Sequence, residues 1–201
     1  MPLMKAMQIS KPGGDFELVQ KELPLPKENE VRLKVHACGI CHGDAVVKEG
    51  HFPGIQYPRV PGHEVVGIVD KLGTYVSRWQ VGQRVGVSWF GGPCMKCEAC
   101  KMGDFSNCRN ALTTGISFDG GYAEYMVAPQ QAMTLIPDEL KSLEGAALLC
   151  AGRTIFSALR NSKARGGDIV AIQGLGGLGH LGIQFAKKLG VCLSNGRLAA
   201  S

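Results

Sequence analysis

Residues 168–189 read DIVAIQGLGGLGHLGIQFAKKL. Ile169 to Ile172 is an apolar run of strand type, glycines then crowd a turn, and Leu178 to Leu189 carries apolar residues at helical spacing. The turn signal Gly166-Gly167-Asp168 stands before it. A strand, a glycine turn and a helix in this order make a βα unit, the opening of a doubly wound fold. Gly-x-Gly-x-x-Gly on its own says little. Between a strand and a helix, Gly174, Gly176, Gly177 and Gly179 meet the requirement of a dinucleotide fingerprint. Such glycines admit a tight turn and let a pyrophosphate approach the amino terminus of the helix.

Toward the carboxyl end the pattern stops short. The fingerprint asks for a carboxylate about 20 residues on, at the end of a second strand, to hold the ribose hydroxyls. At that place stand Ser194-Asn195-Gly196-Arg197-Leu198, none of them acidic, and after Gly190 only Val191-Cys192-Leu193 is apolar. The chain from Gly166 onward is far shorter than the roughly 100 residues of a self-sufficient domain. The expectation is a doubly wound domain cut off near its start, with one strand, and with Ile169, Val170, Ile183, Phe185 and Leu189 left uncovered.

Toward the amino end the texture changes. From Lys5 to about Val127, short β-type runs such as Glu30 to His36, Glu64 to Leu72 and Arg84 to Trp89 are separated by Gly and Pro, which predicts a partly open β-barrel. After Pro137 the spacing is helical: Ser142 reads as a cap, with Leu143, Ala146, Ala147, Cys150 and Ala151 as the apolar face, and a second helix follows through Ile155 and Leu159. The fold class is mixed α/β, with residues 1–150 as one domain and 151–201 as the start of another.

With 45% hydrophobic residues over 201, the chain has an ordinary core composition. The 22 Lys and Arg against 17 Asp and Glu are scattered, which argues against a nucleic-acid partner. Met1 to Ser10 has no signal-like apolar core, and no stretch approaches the roughly 18 apolar residues of a membrane helix. A cytoplasmic protein with reduced cysteines is expected.

Cys94, Cys97, Cys100 and Cys108 have the spacing C-x2-C-x2-C-x7-C, so one loop can fold four thiolates around a tetrahedral Zn²⁺. Four sulfur ligands leave no open position, so this metal would brace a loop rather than perform chemistry. Cys₄ sets also hold iron–sulfur clusters, so the spacing alone leaves iron open. Gly39-Ile40-Cys41-His42-Gly43-Asp44 and Pro61-Gly62-His63-Glu64 are Gly-flanked turns, each carrying a metal-type ligand; singly, each has a plain reading as packing or a hydrogen-bonded residue.

Taken together, Gly-Ile-Cys-His, Pro-Gly-His-Glu, the four-cysteine loop, Leu149-Cys150-Ala151-Gly152 and Gly174-x-Gly176-Gly177-x-Gly179 stand in the order found in zinc-dependent, medium-chain alcohol dehydrogenases, and the chain resembles that family from Lys5 to about Gly190. The resemblance implies a GroES-like catalytic domain followed by the first βα unit of a Rossmann domain. It implies two Zn²⁺ per chain and NAD or NADP as cofactor. Cys41, His63 and Cys150 would hold the catalytic Zn²⁺, a Cys₂His set with an open fourth position. Glu64 would lie behind it as an alternative ligand, and Asp44 would orient His63. Phe52 and Trp89 match positions where the family lines the pocket for a small alcohol or aldehyde. Family members form homo-oligomers; for this chain that assembly stays open.

Two positions depart from the pattern. Gly43 stands where the family carries a hydroxyl that passes on the alcohol proton, and Val46 where a histidine often continues the relay. His42 or His51 could substitute through water, each also having a plain reading as a loop histidine, and in a full-length version Gly43→Ser would be expected to raise alcohol oxidation. The leading expectation is an oxidoreductase interconverting alcohols with aldehydes or ketones, with little activity in a chain so short of its nucleotide domain. The alternative is a non-catalytic zinc-binding fragment. A zinc-free reductase of the same superfamily is a third reading, opposed by the full set of metal-type ligands.

Overall fold

In the first strands the alternation of side chains decides which residues meet. The computed structural model describes residues 2–193, and these divide into two compact units that part between Leu149 and Cys150. The residues from Ser194 on, including those standing where the fingerprint asks for a carboxylate, lie outside the described residues.

In the first unit, β1 (Leu3–Ile9) and β2 (Phe16–Glu22) form an antiparallel hairpin. Then come β3 (Glu30–Cys38), α1 (His42–Glu49), β4 (Val65–Leu72), β5 (Arg84–Val87), the short α2 (Glu98–Lys101), β6 (Tyr125–Pro129), β7 (Met133–Leu135) and α3 (Ser142–Ala147). Five of the strands make one antiparallel sheet in the order β6-β3-β4-β5-β7. β1 runs beside the chain entering β6, with Ala6 bridged to Ala123, so the hairpin curls onto the sheet as a partly open barrel.

Val31 and Leu33 of β3, Val65 and Val69 of β4, Val85 and Val87 of β5 and Met126 and Ala128 of β6 point to one side and form the core. Each valine, leucine or methionine among them taken fully out of water is worth roughly 1.5–3 kcal/mol, which fixes the register. Between Val35 and Ala37 the pairing of β3 with β4 slips by one residue. Beyond this bulge Ala37 faces the other side, where it packs with Val66, Ile136, Ala146 and Leu149, while Cys38 takes the face of Leu33. The strand thus delivers the following loop, residues 39–41, on the barrel side.

Several boundaries and faces differ from expectation. Ser142 is the first residue of α3, and Lys141 is its cap, with no side-chain capping bond. The helix buries Gly145 and Ala146, followed by Leu149, while Leu143 is 80% exposed and Ala147 exposed, because Val66 and Ile136 meet the helix from the Gly145 side.

A π-helical turn, Leu148–Gly152, begins at the end of the first unit and leads into α4 (Arg153–Asn161) of the second, followed by β8 (Ile169–Val170), α5 (Gly177–Lys188) and β9 (Cys192–Leu193). The single strand expected here is corrected: β9 pairs β8 in parallel, Ile169 opposite Cys192 and Val170 opposite Leu193. Leu159 of α4, Ala186 of α5 and Val191 form a small core joined by Val170, Ile172 and Phe185, and the Phe156 ring meets the Phe185 ring edge to face at 6.1 Å. Of the residues expected to be uncovered, Ile169 and Leu189 are exposed; Val170, Ile183 and Phe185 are half-buried.

Candidate metal centres

The four-cysteine loop closes on itself. Cys97 caps α2, its N–H lies 3.4 Å from the Cys94 sulfur, and the Cys94 N–H lies 3.3 Å from the sulfur of Cys108. The Sγ atoms of Cys94, Cys97, Cys100 and Cys108 all lie within 4.8 Å of one another, with separations of 4.0 Å for Cys94–Cys100, 3.5 Å for Cys97–Cys100 and 3.9 Å for Cys97–Cys108. A tetrahedron with Zn–S bonds of about 2.3 Å has S···S edges of about 3.8 Å. The hole between these sulfurs therefore has the size of one ion and not of a multi-iron cluster. Backbone N–H groups of Lys96 and Cys97 pull the Cys94 thiol down to about 6, those of Cys100 and Arg109 lower Cys97, and burial pushes Cys100 up to about 12. The Cys94 thiol is thus inclined to ionise, whereas a cation would be needed to draw the proton from Cys100.

The second constellation is assembled from two loops. Cys41 is the cap of α1 and Asp44 sits three residues on; the Asp44 carboxylate reaches back to accept the Cys41 N–H at 2.9 Å, a reciprocal cap that holds the loop after β3. The second loop, Pro61–Glu64, leads into β4. Its Gly62 N–H donates to Asp44 Oδ1 at 3.1 Å, and His63 Nδ1 lies 3.1 Å from the same oxygen. A carboxylate accepts only, so Nδ1 carries the hydrogen and the Nε2 lone pair is left to point elsewhere. His63 is 1% exposed, and its Nε2 has no hydrogen-bond partner among the described residues. Burial pushes the Asp44 carboxyl up, but the hydrogen bonds from His63, Cys41 and Tyr122 outweigh this and hold it below its ordinary value.

Ligand atoms of Cys41, His63 and Glu64 lie within 4.8 Å of one another, and Glu64 is buried. Cys150 opens the second unit, in the π-helical turn, immediately after Leu149, which is part of the first unit's core. Trp89, just beyond β5, sets its ring edge to face with His63 at 4.8 Å, and the Phe52 ring stands 6.1 Å from Trp89, so of the two predicted pocket residues Trp89 borders the histidine and Phe52 borders Trp89. Val46 is half-buried in α1, and His42 and His51, at either end of that helix, are exposed. A Cβ added at Gly43 would lie 3.0 Å from His63 Cε1 and 3.0 Å from Trp89 Cζ3, so a hydroxyl-bearing residue there needs its neighbours to yield.

In the second unit Gly174 has φ +84°, a left-handed turn that suits glycine. A Cβ at Gly174, Gly176 or Gly177 would meet nothing within 4 Å, whereas one at Gly179 would meet the Gly174 carbonyl oxygen at 1.8 Å. Three glycines therefore leave a bare surface at the amino end of α5, and the fourth lets the helix sit against the turn.

One residue of the histidine site was not anticipated from sequence. Tyr122 donates its hydroxyl to Asp44 Oδ2 at 2.8 Å. Burial and the adjacent Asp44 charge raise its pKa, so it stays a donor. The signal was present in Gly120-Gly121, legible only as a turn, where two glycines beside an aromatic mark a close backbone approach.

Comparison with known proteins places these features in a family. The description "Alcohol dehydrogenase GroES-like domain" matches residues 27–138. An alcohol dehydrogenase, patD, of Penicillium expansum is 45% identical over 178 residues, covering 89% of this chain and 52% of that protein. A cobalt- and zinc-bound thermostable alcohol dehydrogenase from Pyrobaculum aerophilum superposes with a TM-score of 0.88 at 30% identity, over 96% of this chain and 59% of that one. The CAD of Helicobacter pylori complexed with NADP(H) gives 0.85 at 27% identity, over 95% and 58%. The chain spans about half the length of the curated relatives it matches. No helix among the described residues is long and apolar enough to cross a membrane. The family match takes in more than half of the chain, and the chain belongs to the alcohol dehydrogenase family through its GroES-like domain.

Proposed function

We propose that this protein is a cytoplasmic zinc-dependent alcohol dehydrogenase, binding two Zn²⁺ and interconverting a small alcohol with its aldehyde or ketone by hydride exchange with NAD or NADP. The observation that carries the reading is His63 Nε2: a buried nitrogen without a hydrogen-bond partner, beside Cys41 and Glu64, on a ring whose other nitrogen is fixed by Asp44. A neutral imidazole so oriented, with a thiolate and a carboxylate at hand, fits one Zn²⁺. Cys150 is proposed as the further thiolate on the strength of the family resemblance of Leu149-Cys150-Ala151-Gly152. Cys94, Cys97, Cys100 and Cys108 would hold the bracing ion.

Zinc bound at His63 would supply Lewis acidity, lowering the pKa of an alcohol so that it can release hydride to a nicotinamide. The chain's own residues set the conditions for this. Asp44 keeps the proton on Nδ1, so Nε2 stays a donor of its lone pair. Trp89 and Phe52 offer aromatic surface to the carbon part of the alcohol and keep water from it. Gly43 and Val46 carry no titratable atom, so neither can take the alcohol proton. The bare backbone at Gly174, Gly176 and Gly177, at the amino end of α5, suits a pyrophosphate.

Alcohol-dependent reduction of NAD and NADP by zinc-loaded protein tests the reading, with His63→Ala as the control. Turnover should vanish in His63→Ala while one zinc per chain, that of the four cysteines, remains. Equal turnover in the variant would overturn it.

A further inference from the structure

Asp44 accepts four hydrogen bonds on one carboxylate: Cys41 N–H and the Tyr122 hydroxyl on Oδ2, Gly62 N–H and His63 Nδ1 on Oδ1. Two of these donors are the ligand-bearing residues Cys41 and His63, and a third is the glycine next to His63. Tyr122 alone comes from elsewhere in the chain, the segment that runs into β6.

That segment is fastened to the His63 loop by its backbone. Gly120 N–H donates to Val60 O at 2.7 Å, Gly121 N–H to Gly62 O at 2.9 Å and Tyr122 N–H to Pro61 O at 3.0 Å. The approach leaves no room for side chains: a Cβ on Gly120 would lie 2.2 Å from Gly62 O, and one on Gly62, at φ +98°, would lie 2.6 Å from Tyr122 Cδ1. The tyrosine ring therefore has a fixed origin relative to His63. Its hydroxyl bonds Asp44 Oδ2 while the histidine bonds Oδ1, and a carboxylate held at both oxygens is hindered from turning.

Resting on the proposed reading of the His63 site, we propose that Tyr122 is a positioning residue for the metal, holding the Asp44 carboxylate so that His63 keeps its tautomer and its ring direction. Such outer partners of a ligating histidine typically change metal affinity 10- to 100-fold when removed.

The test is zinc release to a chelator from wild type and Tyr122→Phe, with metal content followed over time. Phenylalanine keeps the ring, which also packs against Phe16. The variant should lose the zinc that depends on Cys41 about 10- to 100-fold more readily, and the four-cysteine zinc at the wild-type rate. In an Asp44→Asn background, Tyr122→Phe should add nothing further, since the hydroxyl acts through Asp44. Unchanged zinc release in Tyr122→Phe, accompanied by the same fall in melting temperature in wild-type and Cys41→Ser backgrounds, would show a merely structural hydroxyl and overturn the proposal. Additive effects with Asp44→Asn would overturn it as well. A wild type without any zinc that depends on Cys41 would instead remove the reading beneath it, and the proposal would fall with that reading.

Discussion

Asp44 Oδ1 and His63 Nδ1 lie 3.1 Å apart, with the aspartate 3% and the histidine 1% exposed. A carboxylate removed from water in this way survives only because donors replace the lost hydration, and those donors hold its pKa down despite burial. Asp44→Asn keeps the size but presents an amide NH₂ to at least one of the four donors. A buried donor left without an acceptor costs about 1–3 kcal/mol, so chemical denaturation should show a loss of that order, with both ligand loops loosened together. A stability within about 0.5 kcal/mol of wild type, the usual range of surface substitutions, would mean that the network carries no weight.

The cysteines offer an independent reading of both metal centres through their chemistry. Cys192 is exposed, while burial and the neighbouring Asp44 and Glu64 charges push Cys38 up to about 12. An alkylating reagent attacks thiolates that it can reach. In zinc-loaded protein at neutral pH, Cys192 should be modified first and the others should be protected. After zinc is stripped, Cys94 and Cys97 should become reactive, with Cys41, Cys108 and Cys150 losing their protection, whereas Cys38 and Cys100, both held protonated by burial, should remain slow as long as the barrel stays folded. Peptide mapping checks this, and rapid modification of Cys94 and Cys97 before zinc removal would contradict a bound ion there.

These centres were unequally legible in the sequence. The four cysteines fall within one loop, so their spacing alone foreshadows the cluster, and the strand, glycine turn and helix from Ile169 to Lys188 follow from periodicity with small errors at the ends. Cys41 and His63 are brought together by the antiparallel pairing of β3 and β4, a long-range event that no local pattern encodes; only family resemblance joined them beforehand. The bulge between Val35 and Ala37 is invisible because an alternating strand reads the same with or without it. The face of α3 was misjudged because small residues occur all round the helix and Val66 and Ile136 chose among them. Tyr122 escaped notice because its role rests on a hydroxyl meeting a residue 78 positions away.

Gly43 shows where sequence and structure give different advice. By analogy, a serine there restores a missing hydroxyl. The added Cβ, however, lies 3.0 Å from both His63 and Trp89, whose rings already meet at 4.8 Å. Forcing such contacts costs about 1–3 kcal/mol, more than the 0.5–1 kcal/mol gained by removing glycine from a helix. Gly43→Ala should therefore lower stability by about 1 kcal/mol. In a Trp89→Phe background, which shortens the ring, the penalty should shrink or reverse. A fully additive pair would show that the indole is not what limits this position.

The glycine turn of the second unit permits a separation of folding from binding within six residues, because its glycines face different surroundings. At Gly179 a Cβ would lie 1.8 Å from the Gly174 carbonyl oxygen, an overlap with backbone that no rotamer change relieves. Gly179→Ala must push α5 away from the turn, and with it Ala186, which packs with Leu159 and Val191. Amide exchange protection in α5 and β9 should fall markedly, while β3 and β4 in the other unit stay protected. At Gly177, the first residue of α5, a Cβ meets nothing within 4 Å. Gly177→Ala should leave protection unchanged or raise it, by up to about 1 kcal/mol from helix propensity. The same methyl would occupy space into which a pyrophosphate must come, so any affinity for NAD or NADP seen by calorimetry should weaken in Gly177→Ala without loss of structure. Equal protection in the two variants would refute this division of labour. Unimpaired nucleotide binding in Gly177→Ala would place the phosphates elsewhere.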